Sequence, residues 1–138
     1  MTTAANRALV RTVFDQLAQG NTRALGDALA DDCRWTFPGN WSWSATWQPK
    51  KQVLHGLLRP LLTQLGNAYR MEADMLLADG DHVVVQARGY GVTVDGHDYH
   101  QTYCFIFRLA GGRIVEVLEH CDTALVERVL KPVAAKAN

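Results

Sequence analysis

The chain has 138 residues, 48% of them hydrophobic, and its 14 Lys plus Arg balance 14 Asp plus Glu. That length suits one domain spanning residues 1–138 with a core of its own and leaves no room for a second. With no basic cluster larger than Lys50-Lys51, no apolar run near the roughly 20 residues of a membrane span and no signal-peptide core in Met1–Arg7, the expectation is a cytoplasmic protein with neither nucleic acid nor membrane as partner.

Leu9, Val10, Val13, Phe14 and Leu17 recur at helical spacing after a possible cap at Asn6, and Gly20 closes the helix. Asn21-Thr22 opens a short second helix with Leu25, Ala28 and Leu29 inward, which Asp31-Asp32 ends before a strand at Cys33–Phe37. Pro38-Gly39 breaks that strand. The next segment, Asn40–Gln48, spaces Trp41, Trp43 and Trp47 among small polar residues. It is too apolar to lie free in water and too irregular for a strand, and reads as a flap. Pro49 suits the first turn of a third helix, in which Val53, Leu54, Leu57, Leu58, Leu61, Leu62 and Leu65 form one stripe; Pro60 should kink it against the carbonyl of Gly56.

From Ala68 the turn signals Asp79-Gly80-Asp81, Asp95-Gly96 and Gly111-Gly112 punctuate four β-rich runs, and a last helix starts near Asp122, which reads as its N-cap. Alternation puts Tyr99, Gln101, Tyr103, Phe105 and Phe107 on one strand face, an aromatic wall with a few polar tips, while His100, Thr102, Cys104, Ile106 and Arg108 take the other. The phase of residues 82–94 stays open: Val83, Val85 and Ala87, or Gln86, Arg88 and Tyr90, could be the inner set. Gly89 and Gly91 lie inside a strand run with no helix after them, so they are read as bending the sheet, not as a phosphate loop. Cys33, Cys104 and Cys121 are odd in number and irregular in spacing, and His97 and His100 fall on opposite strand faces, so neither a disulfide framework nor a metal site is expected.

Helices first and then a meander of long strands define an α+β architecture. Ala18-Gln19-Gly20-Asn21, Leu29-Ala30-Asp31-Asp32-Cys33 with Trp35 and Phe37-Pro38-Gly39, Leu57-Leu58-Arg59-Pro60, Asp79-Gly80-Asp81 and Glu119-His120-Cys121-Asp122-Thr123-Ala124-Leu125 together resemble the nuclear transport factor 2-like superfamily, in its SnoaL-like, ketosteroid-isomerase-related branch. The resemblance covers nearly the whole chain. It implies a cone-shaped, curved mixed β-sheet wrapped around N-terminal helices, an internal apolar cavity for a small hydrophobic molecule, and a homodimer through the outer sheet face. Cys104, Ile106 and Val84 would lie on that face.

The family's functional residues carry over unevenly. Where ketosteroid isomerase has its base, its tyrosine donor and its protonated aspartate, this chain has Phe37, about Val13, and Phe105 or Ile106, which removes that mechanism. Polyketide cyclases and limonene-epoxide-type hydrolases use a carboxylate near the position of Glu119. Arg88 matches the arginine that the epoxide hydrolases pair with their acids, with Tyr90 in place of their second aspartate.

The expectation is therefore cofactor-free acid–base catalysis of isomerase, cyclase or dehydratase type on a hydrophobic substrate, with epoxide hydrolysis or non-catalytic ligand binding as alternatives. Glu119, flanked by Val117, Leu118 and Cys121, should be desolvated and is the first choice of base, with Arg88 as orienter and Tyr103 as oxygen donor. Trp35, Phe37, Trp41, Trp43, Tyr90, Tyr99, Gln101 and Phe105 are the expected substrate contacts, and no cofactor is implied. The competing reading makes Glu119 and Arg88 a buried structural pair and the aromatics plain core.

Overall fold

The computed structural model describes residues 2–66 and 68–132. Helix α1 spans Thr3–Ala18, and its N-cap is Thr2, whose hydroxyl accepts the Ala5 N–H at 3.0 Å. Asn6, the expected cap, lies one turn inside. It is buried and donates through Nδ2 to the Gly80 carbonyl at 3.1 Å, a tertiary bond that makes a polar side chain acceptable on the inward stripe of Val10, Val13, Phe14 and Leu17.

The second helix, α2, is only Ala24–Asp27, and strand β1 runs Leu29–Phe37, starting before the expected Cys33. Leu29 already pairs with Ile114 of a parallel neighbour, and a register shift before Arg34 leaves Asp31 and Asp32 exposed in the irregular stretch. The tryptophan flap also contains a strand, β2 Ala45–Trp47, antiparallel to β1 with Trp35 opposite Trp47.

The expected third helix is continuous but not uniformly α. Lys50–Gln52 (α3) leads into a π-helical stretch, Val53–Leu58, and then α4, Arg59–Gln64. The Arg59 N–H reaches five residues back to the Leu54 carbonyl, so the turn before Pro60 is widened, which makes room for the proline ring against the preceding turn.

Strands β3 Arg70–Asp79, β4 His82–Tyr90, β5 Gln101–Ala110 and β6 Arg113–Cys121 complete one curved, unclosed sheet of order β2-β1-β6-β5-β4-β3, antiparallel except for β1 and β6. Asp122 caps α5, Thr123–Val129, its Oδ1 accepting the Leu125 N–H at 3.2 Å, as its sequence position suggested.

The concave face carries Val83, Val85 and Ala87 of β4, Tyr103, Phe105 and Phe107 of β5, and Ile114, Val117 and Glu119 of β6; all are buried. Phe14 of α1 packs edge-on to Phe105 at 5.8 Å and lies 6.1 Å from Phe107. On the convex face Leu77, Val84, Ile106 and Leu118 stand opposite one another across β3, β4, β5 and β6. Among the described residues no helix is long and apolar enough to cross a membrane.

Candidate functional site

Glu119 is buried on the concave face of β6, directly opposite Phe105 of β5. Its Oε1 accepts the indole N–H of Trp35 at 3.2 Å, and among the described residues nothing else donates to it. Burial pushes the carboxyl pKa up to about 8, the single hydrogen bond from Trp35 opposing the rise only in part. A carboxyl poised there exchanges protons at neutral to mildly alkaline pH.

Tyr103, two residues before Phe105 on the same face, is hydrogen-bonded hydroxyl to hydroxyl with Tyr69, which immediately precedes β3. In such a pair one hydroxyl donates to the other, and the acceptor keeps a proton of its own to offer. Burial raises both phenol pKa values, and the neighbouring Glu119 raises them further, so both hydroxyls stay protonated as donors.

Tyr69 is the residue that sequence reasoning missed. Along β4 the concave positions diminish from Val83 and Val85 through Ala87 to Gly89, with Gly91 next in phase, and the Tyr69 ring occupies the space left bare. A Cβ at Gly89 would stand 1.9 Å from the Tyr69 hydroxyl oxygen, and one at Gly91 2.6 Å from Tyr69 Cδ1. The two glycines, read from sequence as a bend, admit a ring. Their spacing on one strand face was the available signal.

Glu119, Trp35, Tyr69, Tyr103 and Phe105 line a pocket of about 40 Å³. Its remaining wall is largely leucine, Leu17 and Leu25 from the first two helices, Leu58, Leu61 and Leu62 from the π-helical turn and α4, and Leu65 just after α4, with Thr22, Met71 and Arg70 completing it. A weak acid and a neutral hydroxyl donor thus share a mostly apolar space, where hydrogen bonds to a developing charge are stronger than in water.

Of the expected site residues, Glu119, Tyr103, Trp35 and Phe105 meet at this pocket. Arg88 does not. With Val83, Val85 and Ala87 filling the inner set, Arg88 points from the convex face, half exposed, and holds Asp74 through Nε at 3.0 Å and a terminal nitrogen at 2.8 Å. The expected Glu119–Arg88 pair is thereby corrected. Tyr90 follows the same alternation outward and lies under the guanidinium groups of Arg70 and Arg88, 4.4 and 5.7 Å from its ring centre, so it is not a contact in this pocket.

Gln101 and Tyr99 face inward but do not line the pocket. Gln101 donates to the Tyr99 hydroxyl at 3.0 Å and the Asp122 carbonyl at 3.2 Å, and accepts the Asp122 N–H at 2.8 Å, so both ends of the amide are occupied in tying β5 to the start of α5. Phe37 and Trp41 pack edge-to-face at 5.5 Å, Phe37 and Trp47 at 5.6 Å, and the Trp41 indole N–H donates to the Pro38 carbonyl at 2.8 Å. Trp43 is buried as well. These rings form a packed cluster beside β1 and β2, so Phe37, Trp41 and Trp43 are not the substrate contacts expected of them in this pocket.

A family model for the SnoaL-like domain matches residues 10–117, well over half of the chain, ending just short of Glu119. No curated protein matches the sequence. Among solved structures, an NTF2-like protein of unknown function from Burkholderia pseudomallei is 24% identical over 92% of this chain and 98% of its own, with a TM-score of 0.76. A SnoaL-like polyketide cyclase, so described provisionally, from Jannaschia is 20% identical over 99% and 96%, with a TM-score of 0.74. An LEH-like epoxide hydrolase from M. tuberculosis is 18% identical over 96% and 95%, with a TM-score of 0.70. The concave sheet and its covering helices are therefore the nuclear transport factor 2-like fold, and the chain belongs to the SnoaL-like domain family.

Proposed function

We propose that this protein is an enzyme that moves protons on a small apolar carbon acid without a cofactor. The observation that supports it best is Glu119: a buried carboxyl with one donor, a pKa near 8 and a free approach from an apolar pocket that also holds the Tyr69–Tyr103 hydroxyl pair. In this reading the Glu119 carboxylate takes a proton from a carbon next to a carbonyl. The electron pair moves into an enolate, and the spare hydroxyl proton of the tyrosine pair bonds to the enolate oxygen.

The proton held on Glu119 then returns to a different carbon, giving isomerisation, or passes to a departing hydroxyl, giving dehydration. In cyclisation the enolate carbon attacks a second carbonyl instead, and that oxygen takes the proton. The cyclase-like neighbour from Jannaschia supports this class. Epoxide opening, suggested by the neighbour from M. tuberculosis, is the weaker reading because Arg88 and Tyr90 are committed to the convex face. The reading includes a homodimer through that face, supported by the apolar row Leu77, Val84, Ile106 and Leu118.

The test is hydrogen–deuterium exchange in D₂O, followed by NMR, on a panel of small cyclic and acyclic enones. Exchange that rises with pH toward 8 in the wild type and is lost in Glu119→Gln, with enone affinity kept within a few-fold, supports the reading. Tight enone binding with no exchange in either protein replaces it with a binding protein.

A further inference from the structure

The pocket around Glu119 is small for a complete ligand. Its roughly 40 Å³ holds about three water-sized groups, whereas ligand sites run to about 300–1,000 Å³. Space of that order lies next door. A groove of about 500 Å³ runs between α2 and the π-helical turn with α4, and Thr22, Leu58 and Leu62 line both the groove and the pocket. The two therefore adjoin, with those three side chains as their common wall.

The pocket has one arginine in its lining, Arg70, which is paired with Glu72, whereas the groove has two. Arg23 and Arg59 line it from opposite walls, α2 and α4, with Asp27 the only acid. Neither guanidinium is in an ion pair with a described residue, whereas Arg34, Arg70, Arg88 and Arg108 each face a carboxylate. Gly26 lets the walls approach, since a Cβ there would lie 3.0 Å from Leu54 Cδ2. Two planar five-donor cations on facing walls, beyond an apolar constriction, suit a carboxylate or phosphate joined to a narrow apolar head.

We propose that the groove is an anion subsite: the ligand enters apolar end first past Thr22, Leu58 and Leu62 toward Glu119, and its acidic tail stays outside between Arg23 and Arg59. This deepens the catalytic reading by naming the substrate class, an amphipathic acid, and rests on that reading only for what happens at the head. Because the tail is held by charge near water, it contributes to binding and orientation and not to the proton transfer itself.

The test uses octanoate and its neutral isostere octanamide as probes, with binding followed by ligand-observed NMR at low and high salt. Octanoate should bind at least tenfold tighter than octanamide at low salt, and the preference should fall in 0.5 M salt. It should vanish in Arg23→Ala/Arg59→Ala and be largely kept in Arg23→Lys/Arg59→Lys.

Equal affinity for the two probes, no octanoate binding at millimolar concentration, or a preference that survives the double alanine substitution overturns the proposal. The same titration on Glu119→Gln separates the two claims. A preference retained there while the wild type exchanges no protons keeps the anion subsite and removes the catalytic reading; enone exchange with no preference for the acid does the reverse.

Discussion

The indole N–H of Trp35 on β1 donates to the Glu119 carboxylate on β6 at 3.2 Å, across a parallel pairing in which Trp35 stands opposite Val117. This bond is the one stabilising contact the anion has among the described residues, and it orients the carboxyl toward the pocket that both side chains line. Trp35→Phe keeps an aromatic body in the site and removes the donor. A hydrogen bond to a charged group contributes about 1.5–3 kcal/mol, and each pKa unit is about 1.4 kcal/mol, so the proton-exchange profile should move up by about one to two units. An unchanged profile would mean that the indole only fills space.

Glu119 should also leave a mark on stability. Its folded pKa of about 8 lies above the ordinary 4.5, so between those values the folded state binds the proton that the unfolded state has released. The group's contribution is therefore fully present below about pH 4 and is lost as pH rises through 8, by at most about 1.4 kcal/mol per pH unit. Glu119→Gln has no such proton to lose. Its melting temperature relative to wild type should climb steadily from pH 5 to pH 8 in thermal unfolding scans, and parallel curves for the two proteins would refute a buried, protonated Glu119.

Gly89 gives a sharper geometric test. A Cβ 1.9 Å from the Tyr69 hydroxyl oxygen and 2.7 Å from Cζ cannot be accommodated unless the ring or the strand moves. Gly89→Ala should therefore cost about 1–3 kcal/mol by overpacking and separate Tyr69 from Tyr103, with proton exchange falling at least tenfold. Tyr69→Phe keeps the ring but leaves the buried Tyr103 hydroxyl unpaired, so it should cost about 1–3 kcal/mol and slow exchange without abolishing it. Combining Gly89→Ala with Tyr69→Ala should restore part of the stability, because the clash has gone, and strictly additive losses in that cycle would show that the two positions do not touch.

Much of this was legible from the sequence, and the exceptions have physical causes. Period-two alternation from Tyr99 to Phe107 identified the inner wall, and the apolar flanks of Glu119 its desolvation, because both are local properties of a strand. Alternation does not say which alternate set faces in, so the place of Arg88 hung on the resemblance, and the run Val83, Val85, Ala87 took the inner side. Tyr69 was hidden because its role depends on a gap in another strand, at Gly89 and Gly91, which becomes informative only once β3 and β4 are paired. Trp35 lines the pocket as expected, but the flap holding Trp41, Trp43 and Trp47 does not, because β2 pairs with β1 and folds Trp47 back against Phe37.

Arg88 then separates the two ways of reading the chain. If it oriented Glu119, Arg88→Ala would leave a buried carboxylate without its cation and cost several kcal/mol together with most of the activity. On the convex face it holds Asp74 and stacks near Tyr90 in an exposed network with Glu72, where pairs of this kind contribute about 0–1 kcal/mol. Arg88→Ala should accordingly melt within a few degrees of wild type and exchange protons at a rate within about twofold, at low and high salt alike, because the whole sheet stands between it and Glu119. A tenfold loss of exchange in this variant, with the fold intact, would require the acid and the arginine to communicate through β4 and β5 and would overturn the assignment of the two sheet faces.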